Sequence, residues 1–547
     1  MPNSYYYGLS DLSTTIVSLF CALAVMGMYD AMFRMFFEKK DEDYKKDICS
    51  SAFAFSCITS LVVSLVMVCL REPISFLFYR ETQYGNLVML CALSVLIGAT
   101  NSIVSAPTRM QNKRKVFLVT NFLSPVISYS IAIPLLLNGH YLIALPLATL
   151  ISATTLELAF AIMNYKWFSF KRVNWKYIRS MLTIALPLLP NFIIYWIFNS
   201  SDRVMISSLL NTSEEGVYAV SSKIGHISQL IYTAFAGGWQ YFAFSIMSDD
   251  DNVNVISKIF DVMLAISLGT TLLGTSVCKF GIEILFKEEY WRSYICVPYL
   301  YLAPLLLMLF QIGTNQFLVI KKTWPNLIIL SIGAVANIAL NFVLIPIIGI
   351  EGASIATFVG YFISIIICII VLLKFKLIII SKKTIISFLS FIIIFLVMRS
   401  NSFSWYALNI PLAIAYVVLL LILFKNDFKN AKVLLKKKKY NKNNCIKKHI
   451  EEIKEKGIDT ENLDKYVITY DNNHKDFLMI GYIEHENNNL IIKYVLYDDT
   501  IDVCSRLIKK CEEIFNEYDI DEIVFEYTFD DEELKNIHNI KRRNIEQ

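Results

Sequence analysis

The sequence predicts an all-α polytopic membrane protein with a small polar unit at its C-terminus, and three observations lead to this class. The chain of 547 residues is 55% hydrophobic and 18% charged, whereas soluble domains carry about 25% charged residues. Its apolar residues form blocks of about 20, long enough as helices to cross about 30 Å of hydrocarbon. Residues 426–547 hold 26 of the 47 acidic residues, which separates a polar tail from the apolar body.

Thirteen apolar blocks are predicted as membrane-spanning helices. They lie near residues 8–33, 48–70, 87–108, 116–137, 141–164, 181–210, 216–247, 257–278, 295–320, 327–347, 352–373, 384–398 and 407–424. The loops between them alternate in charge, with 21 Lys and Arg residues in one set and 6 in the other. Because basic loops stay on the cytoplasmic side, we expect Met1 outside and the tail inside.

Short motifs recur about 212 residues apart, which predicts parallel repeats of six helices. The recurring pairs are Gly8 and Gly216, Asn101 and Asn315, and Pro134 and Pro346. Parallel repeats are one of the two plans of secondary transporters, with the substrate path between the halves. The helix at 181–210 would open the second copy, so its counterpart would precede Met1. We therefore expect that the first helix of the first half is missing from this sequence.

The tail is predicted to form a separate unit that follows a basic linker. Its elements are a helix near 446–456, strands near 465–470, 477–484 and 490–497, a helix at 500–517 and a strand near 521–528. The predicted divisions of the whole chain are 1–164, 165–373, the two extra helices of 374–425, the linker 426–448 and an α/β domain at 449–547. Nine lysines between Lys429 and Lys448 are predicted to bind anionic lipid head groups or simply to anchor the span.

The chemistry-bearing residue types are dispersed along the chain. The eleven cysteines form no CxxC pair and are predicted to be small buried hydrophobes in a reduced setting. HExxH, GxSxG and GxxxxGK[ST] motifs do not occur. We therefore expect no metal, no cofactor, no nucleic-acid partner and no enzymatic activity in the membrane body.

Several motifs of the body resemble one membrane-protein family, in the order that the family has them. They are Leu186-Pro187-Leu188-Leu189-Pro190, the run from Asn199 to Ile206, Gly216-Val217-Tyr218, and the run from Asn337 to Pro346 with Gly349, Gly352 and Ala356-Thr357. This pattern resembles the polysaccharide flippases of the multidrug/oligosaccharidyl-lipid/polysaccharide exporter superfamily, over about residues 1–425. The resemblance implies a two-lobed exporter fold with fourteen helices and the translocation of a polyprenyl pyrophosphate-linked oligosaccharide. The missing helix and the tail depart from that pattern.

Charged residues inside spans are the candidate site residues, because a charge in hydrocarbon is costly. Arg203 and Lys223 each lie about seven residues from the predicted outer end of their helices, about 10 Å deep. Asp202, Arg203 and Lys223 can therefore meet at one depth, where the two cations would bind a pyrophosphate. The alternative is a structural pair of Asp202 with Arg203, with Lys223 reaching outward to water.

Two further charges are candidates at other depths. Arg34 follows Asp30 at the predicted cytoplasmic end of the first helix, where it would capture the head group or serve as an ordinary flanking charge. Glu157 would couple transport to a proton or sodium ion, or make an interhelical hydrogen bond. The amides of Asn199, Asn337 and Asn341 suit sugar hydroxyls or helix–helix contacts.

Three functions remain open from the sequence. The first is a flippase for a lipid-linked oligosaccharide that works by alternating access in the cytoplasmic membrane. The second is a drug or cation exporter of the same fold, and the third is a shortened, inactive paralogue that acts as a membrane scaffold for its tail. The strand–strand–strand–helix–strand order of the tail resembles acyl-CoA N-acetyltransferases, but the acidic segment from Tyr497 to Asp502 lacks their phosphate-binding glycine. We expect a degenerate or binding module there.

Overall fold

The computed structural model describes residues 2–39, 41–111, 113–245, 252–319, 324–400, 405–425, 427 and, in the tail, five strands. The chain divides into two compact units, Met1–Leu423 and Phe424–Gln547.

The described part of the first unit is helical. Its α-helices before residue 165 are α1 (Ser4–Val25), α2 (Met28–Phe36), α3 (Glu42–Cys69), α4 (Arg71–Tyr79), α5 (Gly85–Val104), α6 (Ala106–Met110), α7 (Arg114–Leu137) and α8 (Ala144–Asn164). Those after it are α9 (Trp175–Ala185), α10 (Leu189–Trp196), α11 (Asp202–Leu209), α12 (Thr212–Gly225), α13 (Gln229–Ser245), α14 (Asn252–Leu285), α15 (Val297–Val319), α16 (Trp324–Ile348), α17 (Ile350–Lys374), α18 (Lys382–Ser400) and α19 (Trp405–Leu423).

Ten helical stretches within the described residues are long and apolar enough to cross a membrane. Two shorter apolar helices, Phe122–Leu137 and Leu408–Leu423, accompany them. Helix occurs at every position where a span is predicted, and the protein is a multi-pass membrane protein. The number thirteen, the parallel repeat and the missing first helix stay predictions.

Two long helical segments are interrupted in the middle of their length. Pro187 and Pro190 lie where α9 passes through a 3₁₀ turn (Leu186–Leu188) into α10, because proline cannot donate the helical hydrogen bond. A π-helical segment (Ile197–Ser201) then joins α10 to α11. Similarly, α12 passes into α13 through a 3₁₀ turn (His226–Ser228). Irregular backbone at membrane depth is tolerated where it is buried or lines a cavity.

Close helix crossings depend on glycine. At the crossing of α1 with α12, a Cβ on Gly8 would overlap the carbonyl oxygen of Thr212, and one on Gly216 would overlap the carbonyl oxygen of Ser4. At the crossing of α16 with α17, a Cβ on Gly333 would lie 2.5 Å from the carbonyl oxygen of Gly360. Small residues let helix backbones approach closely in membranes, so these glycines allow the close contacts at both crossings.

The segment between α8 and α9 is fastened to α3. The backbone N–H groups of Ser169 and Asn174 donate to the hydroxyls of Ser50 and Ser51, both at 3.0 Å. Arg172 pairs with Asp43 at 2.9 Å and with Asp47 at 3.4 Å. This connection therefore belongs structurally to the first half of the body.

The tail contains a five-stranded sheet in the order β1-β2-β3-β4-β5. The strands are β1 (Val467–Tyr470), β2 (Leu478–Glu484), β3 (Asn489–Leu496), β4 (Glu522–Phe525) and β5 (Asn539–Lys541). All neighbours pair antiparallel except β3 and β4, which pair in parallel. The first four strands lie where the sequence predicts strands, and the sequence did not indicate β5. Both predicted tail helices and the segment from Tyr497 to Asp502 lie outside the described residues.

Candidate functional site

A polar cavity of about 290 Å³ lies among the interrupted helices. Its lining residues are Thr14, Thr15, Ser18, Asn199, Ser200, Arg203, Ser222, Lys223 and His226. All nine are polar, two are permanent cations and none is a carboxylate. The π-helical segment supplies Asn199 and Ser200, and the 3₁₀ turn supplies His226. The irregular backbone is thus found where the helices line this cavity.

Arg203 is held in the cavity wall by three polar contacts. Its Nε pairs with Asp11 Oδ2 of α1 at 2.8 Å. Its Nη1 donates to the carbonyl oxygen of Asn199 at 3.0 Å, and its Nη2 donates to Ser222 Oγ at 3.0 Å. The side chain is 17% exposed and Asp11 only 6%. The guanidinium is therefore fixed in position while one side of it still faces the cavity.

Lys223 approaches the same carboxylate from α12. Its Nζ lies 3.8 Å from Asp11 Oδ1 and 4.5 Å from the ring centroid of Tyr7. With 58% of its side chain exposed, the ammonium is the more accessible of the two cations. The structure thus brings Arg203 and Lys223 to the same cavity, and the group that joins them is Asp11.

Asp202 does not form the side-chain pair with Arg203 that the sequence leaves open. Its Oδ1 accepts the backbone N–H of Arg203 at 2.9 Å, and its Oδ2 accepts the hydroxyl of Tyr218. Asp202 is buried at 4% exposure and is absent from the cavity lining. It fixes the start of α11 against α12 and so acts on the position of Arg203.

Two buried carboxylates of the site were missed by the sequence analysis. Asp11 lies inside the first predicted span, and the rule that singled out Arg203 would have identified it as well. Glu215 lies within a predicted loop, and the structure places it in the first turn of α12 with no exposed surface. Asp11 could thus have been identified from the sequence. Glu215 could be identified only when the residue at which its helix begins was known.

Arg34 and Glu157 lie apart from this cavity. Arg34 is exposed in the last turn of α2 and has no ion-pair partner in the described part of the chain. It is 23 residues from Asp11, about 35 Å along the helices. Glu157 of α8 is partly buried and faces Thr100 of α5. The structure therefore separates these two candidates from Arg203 and Lys223.

The asparagines divide between the two roles that the sequence leaves open. Asn199 lines the cavity. Asn337 of α16 donates to Thr357 Oγ1 of α17 at 3.2 Å, and Asn341 donates to Asn337 at 3.4 Å. Both have no exposed surface. They hold α16 and α17 together, and they are unavailable to a ligand in this structure.

A second cavity, of about 320 Å³, is lined by apolar and aromatic side chains of α14, α15, α17 and α18. Of its fifteen lining residues only Tyr299 carries a polar group. A pyrophosphate or a sugar buried there would lack hydrogen-bond partners. The first cavity is therefore the candidate site for a polar ligand.

The helical body and its interior polar cavity define a class, the multi-pass membrane transporters. The chain belongs to the family described as polysaccharide biosynthesis proteins, whose model matches residues 4–293. The predicted recognition of a membrane-protein family of polysaccharide biosynthesis is thereby confirmed.

Two solved structures to which the chain is similar belong to membrane proteins, and the first of them shows the fold. The lipid II flippase MurJ in an inward closed conformation aligns with a TM-score of 0.57 and 17% identity, over 78% of this chain and 98% of that one. A multidrug resistance MATE family transporter of the MOP superfamily in an inward-facing conformation gives a TM-score of 0.48 and 14% identity, over 68% of this chain and 94% of that one. No curated protein matches the chain. The alignment with MurJ confirms the exporter fold that the sequence predicts.

Proposed function

We propose that the protein is a flippase that moves a polyprenyl pyrophosphate-linked oligosaccharide across the cytoplasmic membrane by alternating access. The observation that carries this proposal is the polar cavity, in which two cations, Arg203 and Lys223, converge without a carboxylate in the lining. A pyrophosphate diester carries two negative charges, and guanidinium and ammonium groups are its natural partners. Hydroxyl and amide side chains in the same cavity suit a sugar.

The other predicted site residues take supporting roles in this proposal. Exposed Arg34 captures the head group at the cytoplasmic surface, and Asp202 positions Arg203. Glu157 is retained as a candidate for ion coupling. The tail is cytoplasmic, and the lysines between Lys429 and Lys448 bind anionic lipid head groups. The membrane body transports and has no enzymatic activity.

The proposal is tested by transport in proteoliposomes. The purified full-length chain would be reconstituted with a fluorescent polyprenyl pyrophosphate-linked oligosaccharide, and the fraction of label accessible to a membrane-impermeant quencher would be followed over time. We expect rapid equilibration between leaflets with the wild-type chain. We expect Arg203→Gln to slow it by about tenfold or more, because a charge-assisted contact contributes about 1.5–3 kcal/mol.

A matched control separates site effects from loss of fold. Arg179 lies exposed in α9, and Arg179→Gln should leave the rate unchanged. If the wild-type chain expelled organic cations but left the oligosaccharide in one leaflet, the drug-exporter alternative would replace the flippase. If it moved neither, the inactive scaffold would be the correct description.

A further inference from the structure

Glu215 is a buried acid without a hydrogen-bond donor. Its side chain has no exposed surface, and neither carboxylate oxygen has a hydrogen-bond partner in the described residues. An ionised carboxylate in such a place is strongly disfavoured, because it has lost water and gained no donor in exchange. Either a further hydrogen-bond donor contacts the carboxylate of Glu215, or the carboxyl group is not ionised.

The carboxyl group of Glu215 faces the helix that carries Asp11. A Cβ built on Gly8 would lie 2.9 Å from Glu215 Oε2, so the oxygen touches α1 at that position. Asp11 is three residues further on, on the same face of the helix. The charged groups that act on Glu215 are Asp11 of α1 and Asp202 and Arg203 of α11. The carboxyl groups of Asp11 and Glu215 therefore both lie at the crossing of α1 with α12.

Charged groups on the neighbouring elements already have partners. In the 3₁₀ segment Glu288–Ile295, Glu289 accepts the backbone N–H of Ser4, and Arg292 pairs with Glu214. Within α12, Lys223 contacts Asp11 and Tyr7, and Tyr218 donates to Asp202. Three carboxyl groups thus share two cations in a buried cluster, and one proton would both balance the charge and supply the missing donor.

We propose that Asp11 and Glu215 share one proton, and that this proton site is coupled to the binding of an anionic head group at Arg203 and Lys223. The coupling rests on the proposed function. When a pyrophosphate engages the two cations, Asp11 loses its counter-charges, and its carboxylate takes up a second proton in addition to the shared one. Anion binding is therefore accompanied by uptake of one proton, and by reciprocity a lower pH strengthens anion binding.

Binding and proton uptake can be measured together. Farnesyl-pyrophosphoryl-N-acetylglucosamine is a suitable probe, because a pyrophosphate diester keeps its charge over the pH range used. Titration calorimetry of the full-length protein in nanodiscs, in buffers of different ionisation enthalpy, counts the protons. We expect uptake of one proton per probe and a Kd that falls by up to about tenfold per pH unit between about pH 8 and about pH 6.

Asp11→Asn is the decisive variant for the coupling. It leaves no carboxylate at position 11 to take up the second proton, so we expect probe binding without proton uptake and without pH dependence. Glu72→Gln, at an exposed carboxylate of α4, should behave like the wild-type chain. Unchanged proton uptake in Asp11→Asn, loss of uptake in Glu157→Gln instead, or binding that depends on Na⁺ rather than pH would each overturn the proposal.

A measurement without substrate keeps the two proposals separate. The shared proton should give a protonated-carboxyl stretching band in the infrared spectrum of the ligand-free protein at neutral pH, and Glu215→Gln should remove part of that band. An unchanged band would overturn the proton site whatever the protein transports. Absence of probe binding, together with the expected band, would refute the proposed substrate and the coupling but leave the proton site intact.

Discussion

At the scale of single residues, the cations of the cavity are already paired. Asp11 contacts both Arg203 and Lys223, so an anionic ligand has to replace one carboxylate at two cations. This competition weakens binding, but it also keeps Arg203 from being an unpaired buried charge in the empty transporter. The ligand-free state is thereby stabilised at the expense of affinity.

Replacing Asp11 should separate these two effects. Asp11→Asn should lower the melting temperature without ligand, because breaking a buried ion pair costs about 3–5 kcal/mol. The same variant should gain more thermal stabilisation from farnesyl-pyrophosphoryl-N-acetylglucosamine than the wild-type chain does. Thermal melting in detergent with and without the probe measures both shifts.

The matched control is Asp30→Asn, at an exposed aspartate of α2, which should change neither melting temperature. If Asp11→Asn were stabilised by the probe no more than the wild-type chain, Asp11 would not compete with the ligand.

The sequence allowed part of the site to be predicted at this scale. Arg203 and Lys223 stand out because charges inside apolar blocks are rare. Their common partner did not emerge, because it comes from a helix about 190 residues earlier in the chain and pairs through tertiary packing. Glu215 was hidden because the predicted span began one residue after it. Errors of one residue at a helix end thus decide whether an acid counts as intramembrane.

At the scale of elements, the crossing of α1 with α12 joins the two halves of the body beside the cavity. The glycines on both sides leave no room for a side chain. We expect Gly8→Val to prevent this close contact and to open the cavity on the side that the loop charges predict as outer. The variant Thr14→Cys places a thiol in the cavity lining. This thiol should then react faster with an impermeant maleimide added from outside than it does when Gly8 is kept.

Two comparisons make that result interpretable. Labelling of the chain that keeps Thr14 measures the reaction of native cysteines such as exposed Cys69, and this background is subtracted. Gly281→Val, at a helical glycine with open space around its Cβ position, should leave the labelling rate unaltered. Equal rates for Gly8→Val and the parent would mean that this crossing is not a gate.

The crossing of α16 with α17 should matter for stability instead. Gly333→Ala places a methyl group against the carbonyl oxygen of Gly360 and the hydroxyl of Ser364, so the helices must move apart. We expect a lower melting temperature, by several degrees for about 1–3 kcal/mol of overpacking. Gly281→Ala is the control and should not lower it, because alanine favours helix by about 1 kcal/mol.

The positions of the helices were predictable from the sequence, whereas the breaks within the helices were predictable only in part. Apolar block length predicts where helices occur, and Pro187 and Pro190 indicate a break. The π-helical segment Ile197–Ser201 contains neither proline nor glycine, so local propensity gives no sign of it. Its backbone is determined by the tertiary contacts of its side chains, among them the stacking of Phe198 on Tyr361 at 4.0 Å.

At the scale of the whole molecule, the membrane body has cores of its own. One buried cluster joins α1, α3, α4 and α5, and another joins α11, α12, α15, α16 and α17. We therefore expect a chain ending at residue 425 to insert and to melt within a few degrees of the full-length protein. Size-exclusion chromatography and thermal melting in detergent test this, and aggregation of the shorter chain would show that the body depends on its tail.

The π-helical segment also bears on how the site could change by insertion and deletion. A π turn holds one more residue than an α turn, and each helical residue rotates the following side chains by about 100°. Removing one residue, Ile197 for example, would restore an α-helical turn and leave Arg203 facing the cavity, because the wider π turn absorbs the extra residue. Such a deletion should therefore keep far more transport than Arg203→Gln does. A change of one residue in chain length at this turn would thus leave the guanidinium in place.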